Sequence, residues 1–245
     1  LAKALSEAFN ASQTKYKVTL ESRPGGTEGD NLVKTRLSTG EMTDVFIYNS
    51  GSLMNNLNPS KNLIPLGDEP YVKDFTKPFT LAVTSSSDKK IYGAPFGPGS
   101  GGGIMYNRKV YADLGLKVPN TWDEFMANNA KIKAAGKTAV LQTYGTTWTS
   151  QLFVLADFAN INASDANWGA DYTANKKKYS SQPALAGFQH TEDVFKGGYI
   201  NSDAASLTLD NGLKKLALGD AVHYPILSGV ITTVQQNNPD KVADL

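Results

Sequence analysis

The chain has 245 residues, enough for one large domain or two modest ones, and a chain of that length buries a core without disulfide staples. Its 24 Lys+Arg against 23 Asp+Glu leave a net charge of +1, which argues against a broad nucleic-acid surface; 40% hydrophobic and 19% charged residues are a folded, not a disordered, composition. Cys is absent and His is confined to His190 and His223, which excludes thiolate catalysis, iron–sulfur clusters and the common zinc motifs, and no apolar run approaches the ~20 residues of a membrane span.

Leu1, Leu5, Ala8 and Phe9 fall on one helical face, so residues 1–13 are predicted helical. Tyr16 to Glu21 alternates apolar and polar residues, a strand pattern. After the turn Arg23-Pro-Gly-Gly26, Thr27 is expected to cap a helix with Leu32, Val33 and Leu37 inward and Gly40 as its stop. Asp44 to Tyr48 is a nearly continuous apolar run, as in a buried parallel strand. Helix, strand, helix, strand predicts right-handed crossovers and an α/β layer structure.

A helix is expected from Tyr71 to Val83 and an extended segment from Ile91 to Phe96. The run Gly97 to Gly103 is the sharpest change of composition in the chain. It fits the dinucleotide pattern formally, but it leads into the strand Ile104 to Tyr106 rather than a helix, so a nucleotide site is not inferred. Arg108 to Leu114 reads as a helix, and Thr121-Trp-Asp-Glu124 as a capping box opening another that ends near Ala135. Thr138 to Gln142 is expected as a strand, Trp148 to Ala159 as a helix and Ser164 to Ser181 as polar loop. A helix from Pro183 to Gly197, another from Leu209 to Leu218, the strand Ala221 to Tyr224 and a final helix from Val230 follow.

In open α/β sheets ligands sit at the carboxyl ends of strands. That rule singles out Tyr48 and Asn49 after one strand, Trp148 after another, and Tyr224 at the end of a third. Neutral hydrogen-bonding groups with aromatic faces suit a polyhydroxyl ligand, because sugar C–H faces stack on aromatic planes. Trp122 lies within the capping box and reads as structural, and Trp168 lies in the polar loop. No Ser has Gly at both −2 and +2, so there is no nucleophile elbow. No other catalytic constellation stands out, and the chain is not expected to be an enzyme. Lys176-Lys-Lys178 reads as a solvated run.

Several segments occur in the order of one family: Gly40 to Val45, Leu63 to Leu66, Ile91 to Phe96, Met105-Tyr-Asn-Arg, Pro119 to Phe125 with Thr-Trp-Asp-Glu, and Leu216 to Val222 with Gly-Asp-Ala-Val. The whole chain resembles the extracellular sugar-binding proteins of bacterial ABC importers, the group that includes maltose-binding protein. The resemblance implies a periplasmic-binding-protein-like fold of two α/β lobes, residues 1–100 and 101–245, joined by crossover strands with a ligand cleft between them. It implies capture of a soluble carbohydrate by lobe closure and delivery to a membrane ABC permease. The implied protein is a periplasmic or extracellular monomer, or one lipid-anchored at the cell surface, without cofactor, metal or nucleic-acid partner.

Carried onto this sequence, the family's cleft contacts are Tyr48, Asn49, Phe96, Tyr144 and Trp148, with Arg23 and Glu28 in a loop that approaches the ligand in some members; Tyr224 is a ligand candidate from its strand end alone. The sequence departs from the family after Gly-Asp-Ala-Val, where Tyr224 to Gly229 contains no Trp. By the same resemblance Leu1 falls inside a helix that follows a missing first strand, and both lobes are expected to be incomplete. A non-sugar solute, a glycan-acting enzyme and a sensing domain without transport are the alternative readings.

Overall fold

Local signals set several of the helix ends, among them the side-chain caps Thr76, Asn107 and Thr121 and the stops Gly40 and Gly219. The computed structural model describes residues 1–97 and 99–245. Pro98, in the glycine run, lies outside the described residues. The chain divides into two units, Leu1–Pro98 and Gly99–Leu245.

The first unit contains α1 (Ala2–Ser12), α2 (Gly26–Thr39), the short α3 (Ser52–Asn55) and α4 (Pro59–Asn62), and α5 (Lys77–Val83). α2 begins two residues earlier than a Thr27 cap would place it: Gly25 is its N-cap, with no side-chain cap bond. Gly40 ends it as expected, in the left-handed region at φ 75°, its N–H donating to the Arg36 carbonyl. The helix expected from Tyr71 to Val83 is split into a 3-10 turn at Pro70–Asp74 and α5. Pro78 falls in the first turn of α5, where its missing N–H costs nothing, and Thr76 accepts from the Phe79 N–H.

The segments Tyr16–Glu21 and Asp44–Tyr48 do not form the predicted strands. Neither finds a ladder partner among the described residues, and Val45 is 87% exposed. Apolar alternation marks a segment as able to pair; a strand exists only when a second backbone is alongside. The backbone of Val18 is instead held by Asn10, whose side-chain amide both accepts from its N–H and donates to its carbonyl, at 2.7 and 2.8 Å. Arg36 pairs with Glu21 and holds that carboxyl below the usual carboxylate range.

The second unit contains β1 (Gly102–Tyr106), α6 (Arg108–Asp113), α7 (Trp122–Ala134), β2 (Thr138–Val140), α8 (Leu152–Ser164), α9 (Trp168–Thr173), α10 (Ala186–Lys196), α11 (Leu209–Leu218), β3 (Ala221–Leu227) and α12 (Ile231–Asn237). The strands form one sheet in the order β1-β3-β2. β2 runs parallel to β3, but β1 is antiparallel to it, with Tyr106 opposite His223, so the sheet is mixed. Val140 also bridges to Ile200 in parallel, extending the sheet beyond β2.

Two large apolar clusters and a smaller one, of Ile161, Trp168 and Ala184, fill this unit. Leu141, Leu213, Leu216, Tyr224 and Ile226 belong to one large cluster, and Val110, Phe125, Ile132, Val140 and Val194 to the other. The segment expected as polar loop from Ser164 to Ser181 contains α9, and Trp168 is wholly buried there. It stacks on Tyr172 at 5.2 Å and meets Tyr179 edge-on at 4.8 Å. Aromatic burial outweighs the polar composition of that stretch.

The capping box at α7 forms with one change. Thr121 Oγ1 accepts from the Glu124 N–H at 3.2 Å, but Glu124 reaches back one residue further, to the N–H of Asn120, at 2.6 Å. Thr121→Ala is expected to lower the stability of this unit by about 1 kcal/mol in urea unfolding, with Thr121→Ser restoring most of it. An unchanged midpoint for the alanine variant would contradict that role.

Candidate ligand-binding site

The carboxyl end of β2 is positioned by a side chain that imitates a strand. Asn201 accepts from the Gln142 N–H at 2.8 Å and donates to the Gln142 carbonyl at 3.0 Å, continuing the pairing where backbone partners stop. The chain then turns closely against residues 204–207. Tyr144 N–H donates to Ala204 and Gly145 N–H to Leu207. Gly145 is required at this approach: a Cβ there would lie 2.4 Å from the Ser206 carbonyl oxygen.

A buried hydroxyl chain fixes the same loop to β3. The Thr149 hydroxyl donates to the Thr143 carbonyl at 2.8 Å, and the Thr143 hydroxyl donates to Thr149 Oγ1 at 3.1 Å. The remaining close pair, Tyr224 Oη with Thr143 Oγ1 at 2.5 Å, must therefore have Tyr224 as donor. Tyr224 is 0% exposed, and burial pushes its phenol up to about 12. The structure thus places Tyr224 in the core, where its hydroxyl is used internally. Its bond to Thr143 holds the Thr143–Thr149 loop to β3.

Trp148 lies on a 3-10 turn, Thr147–Gln151, that precedes α8, where a continuous helix from Trp148 was predicted. It is half-buried and packs against the Leu141–Tyr224 cluster. Tyr144 is also half-buried, and desolvation raises its phenol above the ordinary value. It lines a cavity of about 340 Å³ together with Gln142, Phe153, Phe188 and Phe195. Trp122 is structural as expected: its ring stacks on His190 at 3.9 Å, and His190 Nδ1 lies 2.6 Å from Asp157.

In the first unit, Tyr48 is half-buried and Asn49 exposed. The Tyr48 hydroxyl is buried with no hydrogen-bond partner among the described residues, and burial raises its phenol above the ordinary value. The Arg23 guanidinium lies 5.8 Å from the centre of the Tyr48 ring and donates to the Ile47 carbonyl at 2.7 Å. Sequence reading placed Arg23 near the site only through the resemblance; its contact with Tyr48 spans 25 positions and left no local signal. Phe96 is 46% exposed. Among the described residues no group of three or more His, Asp or Glu is placed to hold a metal ion, and no helix is long and apolar enough to cross a membrane.

Aromatic and neutral polar groups on a strand-end loop are the equipment of a small-molecule-binding α/β protein. Residues 1–229 match the family described as bacterial extracellular solute-binding protein, and the chain belongs to that family. It is 28% identical over 184 residues to the multiple sugar-binding protein of Streptococcus mutans serotype c, a match covering 74% of this chain and 40% of that protein. Two solved structures share the fold. A chitin oligosaccharide binding protein superposes with a TM-score of 0.80 at 17% identity, covering 94% of this chain and 58% of that one. The solute-binding protein RafE in complex with raffinose superposes with a TM-score of 0.74 at 23% identity, covering 98% and 62%. The chain therefore spans less than two thirds of the length of these relatives.

Proposed function

We propose that this protein captures a soluble carbohydrate without chemical turnover and delivers it to a membrane ABC permease. The observation that carries the proposal is the family match across residues 1–229, reinforced by a relative named for binding multiple sugars. The side chains support the sugar class. Tyr48 presents a half-buried ring under Arg23, and the exposed Asn49 beside it supplies amide donors and an acceptor for ring hydroxyls. Trp148 offers an aromatic edge or face at a strand end, and Tyr144 follows from the same loop. Phe96 is an exposed ring suited to a sugar C–H face. As an extracellular solute receptor the protein works outside the cytoplasmic membrane, and its permease partner recognises the loaded form.

Titration calorimetry with raffinose, chitin oligosaccharides and maltose tests the reading. Binding of at least one sugar is expected, and Trp148→Ala is expected to weaken it about tenfold or more, the loss of a stacking contact worth ~1.5 kcal/mol. Asn49→Ala is expected to weaken it less, through one lost hydrogen bond. Heat from a non-sugar solute with none from any sugar would overturn the carbohydrate assignment. Steady consumption of a sugar, seen as new products, would overturn the non-catalytic one.

A further inference from the structure

The cavity beside Gln142 has features that the carbohydrate reading does not use. It opens between α8 and α10, among residues of the cluster that contains Phe153 and Val194, whereas Trp148 packs against the other cluster. Its walls are held in place. Gly187 of α10 lies so close to α8 that a Cβ there would sit 2.9 Å from Val154 Cα, and His190 of α10 is tied to Asp157 of α8. Phe188 and Phe195 stand at its mouth, 48% and 66% exposed.

At the floor lies a polar group with nothing to bond. Gln142 is 3% exposed, lines the cavity, and its Nε2 has no hydrogen-bond partner among the described residues. A buried donor left unsatisfied is costly, and an acceptor in the cavity that the amide turns to meet recovers that cost. Two of the hydroxyls that also line the space are already engaged: Thr191 donates to the Gly187 carbonyl and Ser150 to the Thr147 carbonyl, while Tyr144 adds a half-buried phenol. The rim acid Glu192 is paired with Lys196 at 2.7 Å, so the mouth carries no free charge of one sign.

We propose that the Gly99–Leu245 unit holds a second small-molecule site between α8 and α10, for a neutral ligand presenting an apolar ring and one hydrogen-bond acceptor, anchored by Gln142. About 340 Å³ lies at the small end of ligand pockets and suits a single ring with a short substituent. The apolar walls supply most of the affinity and the amide fixes the orientation. Tyr144 lines this cavity and also stands among the sugar candidates, but the inference needs no sugar to bind, and failure of every sugar leaves it intact.

Benzamide and toluene are the probes, one with an acceptor and one without, followed by saturation-transfer NMR and by shifts of Phe188 and Phe195 ring protons. Benzamide is expected to bind about tenfold tighter than toluene, the equivalent of one ~1.4 kcal/mol hydrogen bond. In Gln142→Leu that preference is expected to vanish while toluene still binds, and the variant is expected to unfold at a higher temperature because an orphaned donor is gone. Phe188→Ala, at an exposed position, is expected to weaken both probes. Equal benzamide preference in wild type and Gln142→Leu, or binding of both probes untouched by Phe188→Ala, would overturn the site. So would the absence of any probe signal at the Phe188 and Phe195 rings.

Discussion

Gly145→Ala is expected to destabilise the second unit by about 2–3 kcal/mol, the cost of forcing a methyl into a packed contact. The new Cβ would stand 2.4 Å from the Ser206 carbonyl oxygen and 2.8 Å from that of Leu207, both backbone atoms that no rotamer change can move away. The same displacement breaks the Gly145-to-Leu207 and Tyr144-to-Ala204 hydrogen bonds, and carries Tyr144 and Trp148 with it. Ligand affinity should therefore fall together with stability. Gly99→Ala is the control, because nothing lies within 4 Å of a Cβ there. Equal urea midpoints for the two variants would show that the close approach at Gly145 carries no weight.

Acid should act on this unit through His223. The ring is buried between α6 and α7, with Nδ1 2.8 Å from Asn129 Oδ1 and Nε2 2.5 Å from the Tyr111 hydroxyl. The Asn129 oxygen accepts, so Nδ1 carries the proton, and Nε2 accepts from Tyr111. The imidazole is thus neutral, and burial lowers its pKa from 6.5 to about 4, partly offset by the Ala139 carbonyl. Between those values the unfolded chain binds the proton and the folded one does not. Stability from this group is therefore complete above pH 6.5 and is lost as pH falls toward 4. The loss approaches about 3 kcal/mol at the acid limit and is about 2 kcal/mol by about pH 5.

Carboxylates titrate in part of the same window, so the comparison is between wild type and His223→Gln. The variant retains a donor and an acceptor but has nothing to protonate. Urea unfolding from about pH 7.5 down to about pH 5 is expected to show a shallower decline in the variant by about 2 kcal/mol. Parallel declines would remove His223 as the cause.

What the sequence revealed follows the range of each signal. Helix ends were legible because caps act within three or four residues: Thr121 with Glu124, Gly40, and Gly219, which ends α11 at φ 77°. The strands that failed, Tyr16–Glu21 and Asp44–Tyr48, depend on partners elsewhere in the chain, which alternation cannot supply. α9 was hidden by the polar residues around Trp168, although Trp168 and Tyr172 stand at helical i, i+4 spacing and were a usable clue. In the sequence, Tyr224 ends a strand pattern, which marks it as a ligand candidate. The strand instead runs on to Leu227 and is buried along nearly its whole length, so its hydroxyl closes an internal network.

Gln142, a polar residue ending an apolar run, carries no local signal. Its significance lies in what surrounds it, and α10 is more than forty residues further along the chain. Tyr48 and Trp148 were legible as candidates through the strand-end rule. The Arg23 contact that completes the Tyr48 environment was not, because it joins two segments without a local pattern.

The central claim is sugar recognition, and the three tryptophans offer a direct reading of it. Trp168 is wholly buried, Trp122 is stacked on His190, and Trp148 is half-buried on the strand-end loop, so their indole N–H resonances report three separate places. Titration with raffinose and with chitin oligosaccharides, followed by NMR of those resonances, is expected to move the Trp148 signal with saturable dependence on one of the sugars and to leave Trp168 in place. All three signals unmoved by every sugar, or a response at Trp168 without one at Trp148, would contradict the account.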